Sequence, residues 1–231
     1  MKSYIKTHTW AYNLLARVYR FLGHNKVIIR GKGNQFSLNV PGLFLANANI
    51  KLNGDNNKLI FSPNKPGEVT HFTKLNITIR GNNNTIFIGS CSSGSGLSIC
   101  IEDDNNRVVL GNHFTVGPNT ELAAIEGTTI EFGDDCMLSA NITLRTGDSH
   151  SITDLQGNRT NPSKSIKIGN HVWIGNTVLI FKGTRVADNS IVAGGTVEVG
   201  GKKYPPHCII GGNPAKVIKE GVDWDRRRLP I

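Results

Sequence analysis

Cysteine is scarce and scattered in this chain. Cys91, Cys100, Cys136 and Cys208 form no CxxC pair and no metal-ligand spacing, so no metal centre is expected and the four read as small residues in a reducing compartment. The first 25 residues hold no continuous apolar stretch of the kind a secretory signal needs, and no run is long enough to span a bilayer. A cytoplasmic location is the expectation. Also missing are a Ser-His-Asp or Cys-His signature for a covalent acyl-enzyme and any nucleic-acid recognition motif. The formal charge of +9 therefore points elsewhere: to phosphates on a cofactor, an acidic glycan or an anionic membrane face.

What the chain does have is a period of six. Ile168, Ile174, Ile180, Val186 and Val192 recur in unbroken frame. Four positions after each comes a small or β-branched residue, Val172, Val178, Thr184, Ser190 and Thr196. Neither an α-helix nor an ordinary strand has this period. A β-solenoid with one short strand per triangular face does, and three units close a coil of roughly 18 residues. The 26 glycines and abundant asparagines suit a fold that turns a corner every few residues. A single domain of 231 residues can bury a sizeable core in this way.

Around the hexads lie Arg145-Thr146-Gly147-Asp148-Ser149-His150-Ser151-Ile152, His171-Val172-Trp173-Ile174-Gly175, Val192-Ala193-Gly194-Gly195-Thr196 and Ile209-Ile210-Gly211-Gly212-Asn213-Pro214-Ala215-Lys216-Val217-Ile218, in that order. Over residues 130–220 the chain resembles the hexapeptide-repeat acetyltransferases, and among them the O-acetyltransferases of bacterial capsule and O-antigen polysaccharides. The resemblance implies an all-β, left-handed parallel β-helix with a short N-terminal α-helix. It also implies acetyl-CoA as co-substrate, no metal, and a homotrimer with three active sites at subunit interfaces. The acceptor would be a sugar hydroxyl of a surface polysaccharide or its precursor, and the positive charge leans toward an anionic glycan.

The expected organisation has four parts. Residues 1–24 contain an amphipathic helix over 3–22, in which Trp10, Ala11, Leu14, Leu15, Val18 and Leu22 keep a three-to-four spacing. That helix either caps the solenoid or packs against a subunit, or else lies on a membrane interface near lipid-linked glycans. Residues 25–129 repeat strand, Asn-rich corner and strand, and read as irregular first coils. Residues 130–220 are the hexad region, interrupted at 145–165 by an excursion from a corner that carries His150. Val199 to Pro206 reads as a turn replacing two core strands, and residues 221–231 as a polar surface extension.

Transfer of an acetyl group to a hydroxyl needs a base near neutrality, and histidine has the right pKa range. His150 matches the family's catalytic-histidine region, where it would take the acceptor proton and pass it to the departing thiolate. The resemblance places Trp173 beside the thioester and the acceptor. His171 is either a second contact there or a corner residue. Asp148, close in sequence, and Asp134 or Asp135, about one coil earlier, are candidates to orient or support His150. Gly175, Ala193, Gly194 and Gly195 would let a pantetheine arm approach the backbone, although tight corners also want small residues. Lys202, Lys203, Lys216 and Lys219 suit the CoA phosphates.

Three rival readings follow from the same residues. An N-acetyltransferase of a nucleotide-linked amino sugar would share base and groove. A zinc hydratase on the same solenoid needs three converging imidazoles, and His113, His150 and His171 lack that family's close His-x4-His pair. A non-enzymatic solenoid would show Thr ladders through successive hexads, and none runs here.

Overall fold

In the computed structural model, residues 9–230 are described. The chain winds into a parallel β-helix whose strands form three sheets. Sheet A has eight strands from Lys26–Arg30 to Val197–Glu198, sheet B has eight from Gln35–Phe36 to Lys203–Tyr204, and sheet C has nine, beginning at Leu43–Ala46. Strands alternate inward and outward, so each coil contributes aliphatics to one continuous core. In sheet A the inward column is Ile50, Ile77, Ile99, Leu122, Leu144 and Ile180, all at most 1% exposed.

The coil length changes along the axis. In sheet A the step is 27 residues from Ile50 to Ile77, 22 from Ile77 to Ile99, 36 from Leu144 to Ile180 and 18 from Ile180 to Glu198. The slack N-terminal repeats are therefore coils of the same solenoid with longer corners. At the edge between sheets A and B those corners are held by a buried asparagine ladder. Asn84, Asn106 and Thr128 each donate a backbone N–H to the side-chain oxygen of the Asn one coil before, at 2.8–3.0 Å. The ladder satisfies polar groups that the apolar interior could not. It ends where Thr128 meets Thr146, hydroxyl to hydroxyl at 2.6 Å, and there the chain leaves the solenoid.

Two expectations need correction. Val199 to Pro206 does not replace two core strands: Val197–Glu198 and Lys203–Tyr204 keep their places in sheets A and B. Only the aliphatics are replaced, by Glu198 and Tyr204, 2% and 7% exposed. The Tyr204 hydroxyl donates to the Glu198 carboxylate, so each buried polar group answers the other. Burial, and then this carboxylate, push the Tyr204 phenol up from its ordinary value. Secondly, the C-terminal segment is no free extension. Lys216–Glu220 folds back antiparallel on the last strand of sheet C, and the residues beyond it run along the edge between sheets B and C.

The N-terminal helix α1 spans Thr9–Leu22; residues 3–8 of the expected helix, with Lys6, and Lys2 before it, lie outside the described residues. It packs beside the first strand of sheet C through Tyr19, 5.4 Å from Phe44 and hydrogen-bonded to His71 at 3.1 Å, and through the Arg20 guanidinium on the Leu43 carbonyl. Trp10, Leu14, Val18, Phe21 and Leu22 face outward, each 45% exposed or more. The amphipathic pattern is present, with its apolar side turned away from the coils. No helix among the described residues is long and apolar enough to cross a membrane.

Candidate functional site

The excursion carrying His150 leaves sheet A after Ile142–Arg145 and re-enters at Ile166–Ile168 of sheet B, at the A/B edge. It has almost no regular structure beyond one bridge between Thr153 and Arg159, so side chains hold it. Glu126 takes a bidentate pair from Arg159 at 2.6 and 3.0 Å and a hydroxyl bond from Ser163 at 2.7 Å. Those donors, Arg159 foremost, hold the Glu126 carboxyl down at about 2. Asp148 accepts from the Lys182 ammonium and from Asn161 at 2.7 Å. Asn161 also donates to the His150 carbonyl at 2.8 Å. Asp148 thus supports the backbone at His150 rather than the ring.

Asp135 does not orient His150. It sits at the B/C edge, where its carboxylate meets His171 Nδ1 at 2.6 Å and Arg226 Nε at 2.7 Å. Along this edge His113, Asp135, His171, Asn189 and His207 occupy equivalent corner positions, all with φ of 52–59°. His171 is accordingly a corner residue, and its ring is engaged by its own chain. Trp173, two residues on, stands on the outer face of sheet C, 36% exposed, with its indole N–H 3.4 Å from Ser139 Oγ. His150 and Trp173 lie on different edges of the prism, and one chain does not bring them together.

Sheet C presents two outward columns. One passes through Thr115, Met137, Trp173, Ile191 and Ile209. Beside it runs a column of small residues, Gly117, Ser139, Gly175, Ala193 and Gly211, at the turn into sheet A. A Cβ on Gly175 would lie 2.6 Å from Gly194 N, whereas one on Gly195 would meet nothing within 4 Å. Gly175, Ala193, Gly194 and Gly195 therefore form one shallow cradle, tight beneath and open above, that a slender chain can follow. In the last strand Lys216 pairs with Gly211 and Lys219 with Ile209, placing both lysines at the foot of the two columns. The other two lysines are not brought there. Lys202 donates its ammonium to the Ala215 carbonyl at 2.6 Å, and Lys203 points out from sheet B in register with Arg185.

An open cleft of about 270 Å³ lies on sheet A against the excursion, lined by Cys100, Glu102, Glu121, Ala123, Ile125, Arg145 and Ser149. Arg145 and Glu121 pair across its floor at 2.8 Å. Among the described residues no group of His, Cys, Asp or Glu is placed to hold a metal ion, and His113, His150 and His171 do not converge. Burial lifts the Cys136 thiol to about 12, which leaves it protonated and unreactive at neutral pH. The residues that sequence reasoning missed are Trp224 and Arg226, which reach back to the Asp135–His171 corner. No local pattern marks them, since their partners lie 53 and 91 positions away.

No family model matches the chain. It is 33% identical over 198 residues to a polysialic acid O-acetyltransferase of Neisseria meningitidis, covering 85% of this chain and 88% of that protein. It is 31% identical over 121 residues to a galactoside O-acetyltransferase of Escherichia coli K12, covering 52% of this chain and 58% of that one. Among solved structures, it superposes on the polysialic acid O-acetyltransferase OatWY with a TM-score of 0.78 and 30% identity, over 89% of this chain and 93% of OatWY. On the polysialic acid-specific acetyltransferase NeuO the TM-score is 0.75 with 31% identity, over 87% and 89% of the two chains.

Proposed function

The chain belongs to the hexapeptide-repeat O-acetyltransferases, left-handed β-helix enzymes, and we propose that within this family it transfers acetyl from acetyl-CoA to a hydroxyl of an acidic capsule polysaccharide. The observation that carries this reading is similarity over 85–89% of the chain to polysialic acid O-acetyltransferases. A net charge of +9 agrees with an anionic acceptor.

The active unit is a homotrimer. In the C-terminal coils sheet A turns Leu179, Phe181 and Val197 outward and sheet C turns out Met137, Trp173, Ile191 and Ile209. Sheet B turns out Glu131, Lys167, Arg185 and Lys203. Apolar outer faces favour contact with another chain, and the charged face favours water. With the C/A edges at a three-fold axis, sheet A of one chain and sheet C of the next wall a wedge-shaped cleft. Its mouth lies between the A/B edge of the first chain, bearing the excursion, and the B/C edge of the second, bearing Trp173. His150 then reaches the cleft from one chain and Trp173 from its neighbour.

In that cleft His150 is the general base. It takes the proton from the acceptor hydroxyl as the oxygen attacks the thioester carbonyl, and passes it to the departing thiolate. The cradle of Gly175, Ala193, Gly194 and Gly195 holds the pantetheine arm, and Lys216 and Lys219 at its foot take the phosphates. The cleft on sheet A beside Ser149 receives the glycan.

The character of α1 supports membrane association. The first 54 residues carry eight Lys and Arg and no Asp or Glu, and the outward face of α1 is apolar. Basic charge beside an apolar helical face suits an anionic bilayer at the cytoplasmic leaflet, and a trimer would present three such helices. Flotation of the full chain with anionic but not neutral vesicles is the expected result; no flotation with either would overturn this localisation.

The catalytic reading is tested by thiol release from acetyl-CoA with neutral sugars, amino sugars, sialic acids and acidic capsular oligosaccharides. Release should appear with an acidic oligosaccharide and fall about 10²–10⁴-fold in His150→Ala. Release with an amino sugar alone would favour the N-acetyltransferase.

A further inference from the structure

The C-terminal segment forms a strap along the B/C edge. Val222 donates its N–H to the His207 carbonyl at 3.0 Å, and from there the chain runs back toward earlier coils. Trp224 lies flat on His171, ring centroids 4.2 Å apart and planes 8° apart, and donates its indole N–H to the His171 carbonyl at 2.8 Å. Two residues on, Arg226 spreads its guanidinium over the corner. It donates to Asp135 Oδ1 at 2.7 Å, to Thr115 Oγ1 at 2.8 Å, and to the carbonyls of His113, Asp135 and Cys136 at 3.1 Å. Nε and Nη1 each donate once, and the two N–H groups of Nη2 are shared among the three carbonyls. Every nitrogen of the fork is thereby tied to the corner.

His171 closes the arrangement from below. Its two ring nitrogens meet atoms that only accept, Asp135 Oδ2 at 2.6 Å and the Trp224 carbonyl at 2.9 Å. Against the opposing effect of burial, these two acceptors raise the His171 pKa above its ordinary value, and the protonated ring, donating from both nitrogens, is a cation attracted to the indole face on which it stacks.

The consequence falls on Trp173. Its own polar tie to Ser139 is long at 3.4 Å, and its flank away from Met137 and Ile191 is met by the Trp224 ring, centroids 6.1 Å apart at 46°. We propose that Trp224, anchored by Arg226, is a positioning residue that holds the Trp173 indole in the one orientation that lines the acyl-transfer cleft. The proposal rests on the reading that Trp173 belongs to that cleft. In this role Trp224 acts through Trp173, which it meets ring to ring.

The experiment is a double-mutant cycle on the full-length chain in the thiol-release assay, with oligomeric state and melting temperature measured for every variant. Trp224→Ala and Arg226→Ala should each lower kcat about tenfold, because a misoriented cleft residue slows the transfer step, with the KM for acetyl-CoA within about twofold. Trp224→Phe, which keeps a flat ring, should recover most of that loss. Trp224→Ala added to Trp173→Ala should cost nothing further, as expected when one residue acts through the other. If Trp173→Ala is impaired and Trp224→Ala is not, or if the losses multiply, the positioning role is wrong while the site reading stands. If Trp173→Ala turns over like wild type, the site reading itself fails. A strap that is merely structural would lower the melting temperature equally in Trp224→Phe and Trp224→Ala and leave kcat unchanged.

Discussion

Replacing Gly175 with alanine puts the cradle to a quantitative test. The new Cβ would stand 2.6 Å from Gly194 N and 3.0 Å from both Gly194 Cα and Val192 O. All three are backbone atoms of the next coil, so no side chain can swing aside, and the two coils must separate locally. Overpacking of this kind costs about 1–3 kcal/mol, which in a chain of this size lowers Tm by roughly 2–12 °C. The separation occurs under the path assigned to the pantetheine arm, so the KM for acetyl-CoA should rise several-fold while the KM for acceptor stays. Gly67→Ala is the control. Gly67 has φ of +87° and open space around it, so alanine there costs about 1–2 kcal/mol of backbone strain alone, far from the cradle. Thermal melts and steady-state kinetics on both variants decide the matter. Gly175→Ala that melts early but keeps a wild-type KM, as Gly67→Ala should, would refute the cradle as the donor's path.

Lys216→Glu should raise the KM for acetyl-CoA at least tenfold and the KM for acceptor little; equal effects would argue against a phosphate contact at the foot of the cradle. Acid should release the excursion. The folded-state pKa of Glu126 is depressed to about 2 against an ordinary value near 4.3, so its contribution is complete above the ordinary value and is lost as pH falls toward 2. Proteolytic nicking within residues 151–160 should therefore increase over that window in wild type and be high at all pH values in Glu126→Gln; pH-independent resistance in both would contradict the anchor. Tyr204→Phe removes the phenol that answers buried Glu198 and should destabilise the chain by about 1–3 kcal/mol, read from denaturant melts; an unchanged midpoint would show that Glu198 is served by Gly200 N–H alone.

The hexads from Ile168 to Val192 announced the solenoid because each aliphatic needs only its own coil position to be recognised. The earlier coils were legible as strand and Asn corner, but their length was not, since it depends on the ladder through Asn84 and Asn106, which links residues 22 apart. Val199 to Pro206 misled for a related reason. A buried Glu198 looks like a break in an aliphatic frame until Tyr204 is seen to satisfy it. His150, Trp173 and the glycines that the proposed mechanism uses were singled out by motif, and the structure ties Asp148 to the backbone at His150 rather than to its ring. Asp135 was aimed at the wrong histidine because coil register, 36 residues across the excursion, decides which corner faces which. The strap was invisible for want of any periodic signal.

The account stands or falls on a cleft shared between chains, and subunit complementation tests that directly. His150→Ala and Trp173→Ala chains, each nearly inactive alone, are unfolded together in equal amounts and refolded into mixed trimers. If His150 of one chain works with Trp173 of its neighbour, about a quarter of the interfaces will pair an intact histidine with an intact tryptophan, and thiol release should return to about a quarter of wild type. If both residues serve a site within one chain, every site in the mixture keeps one defect and activity stays at the level of the separate mutants.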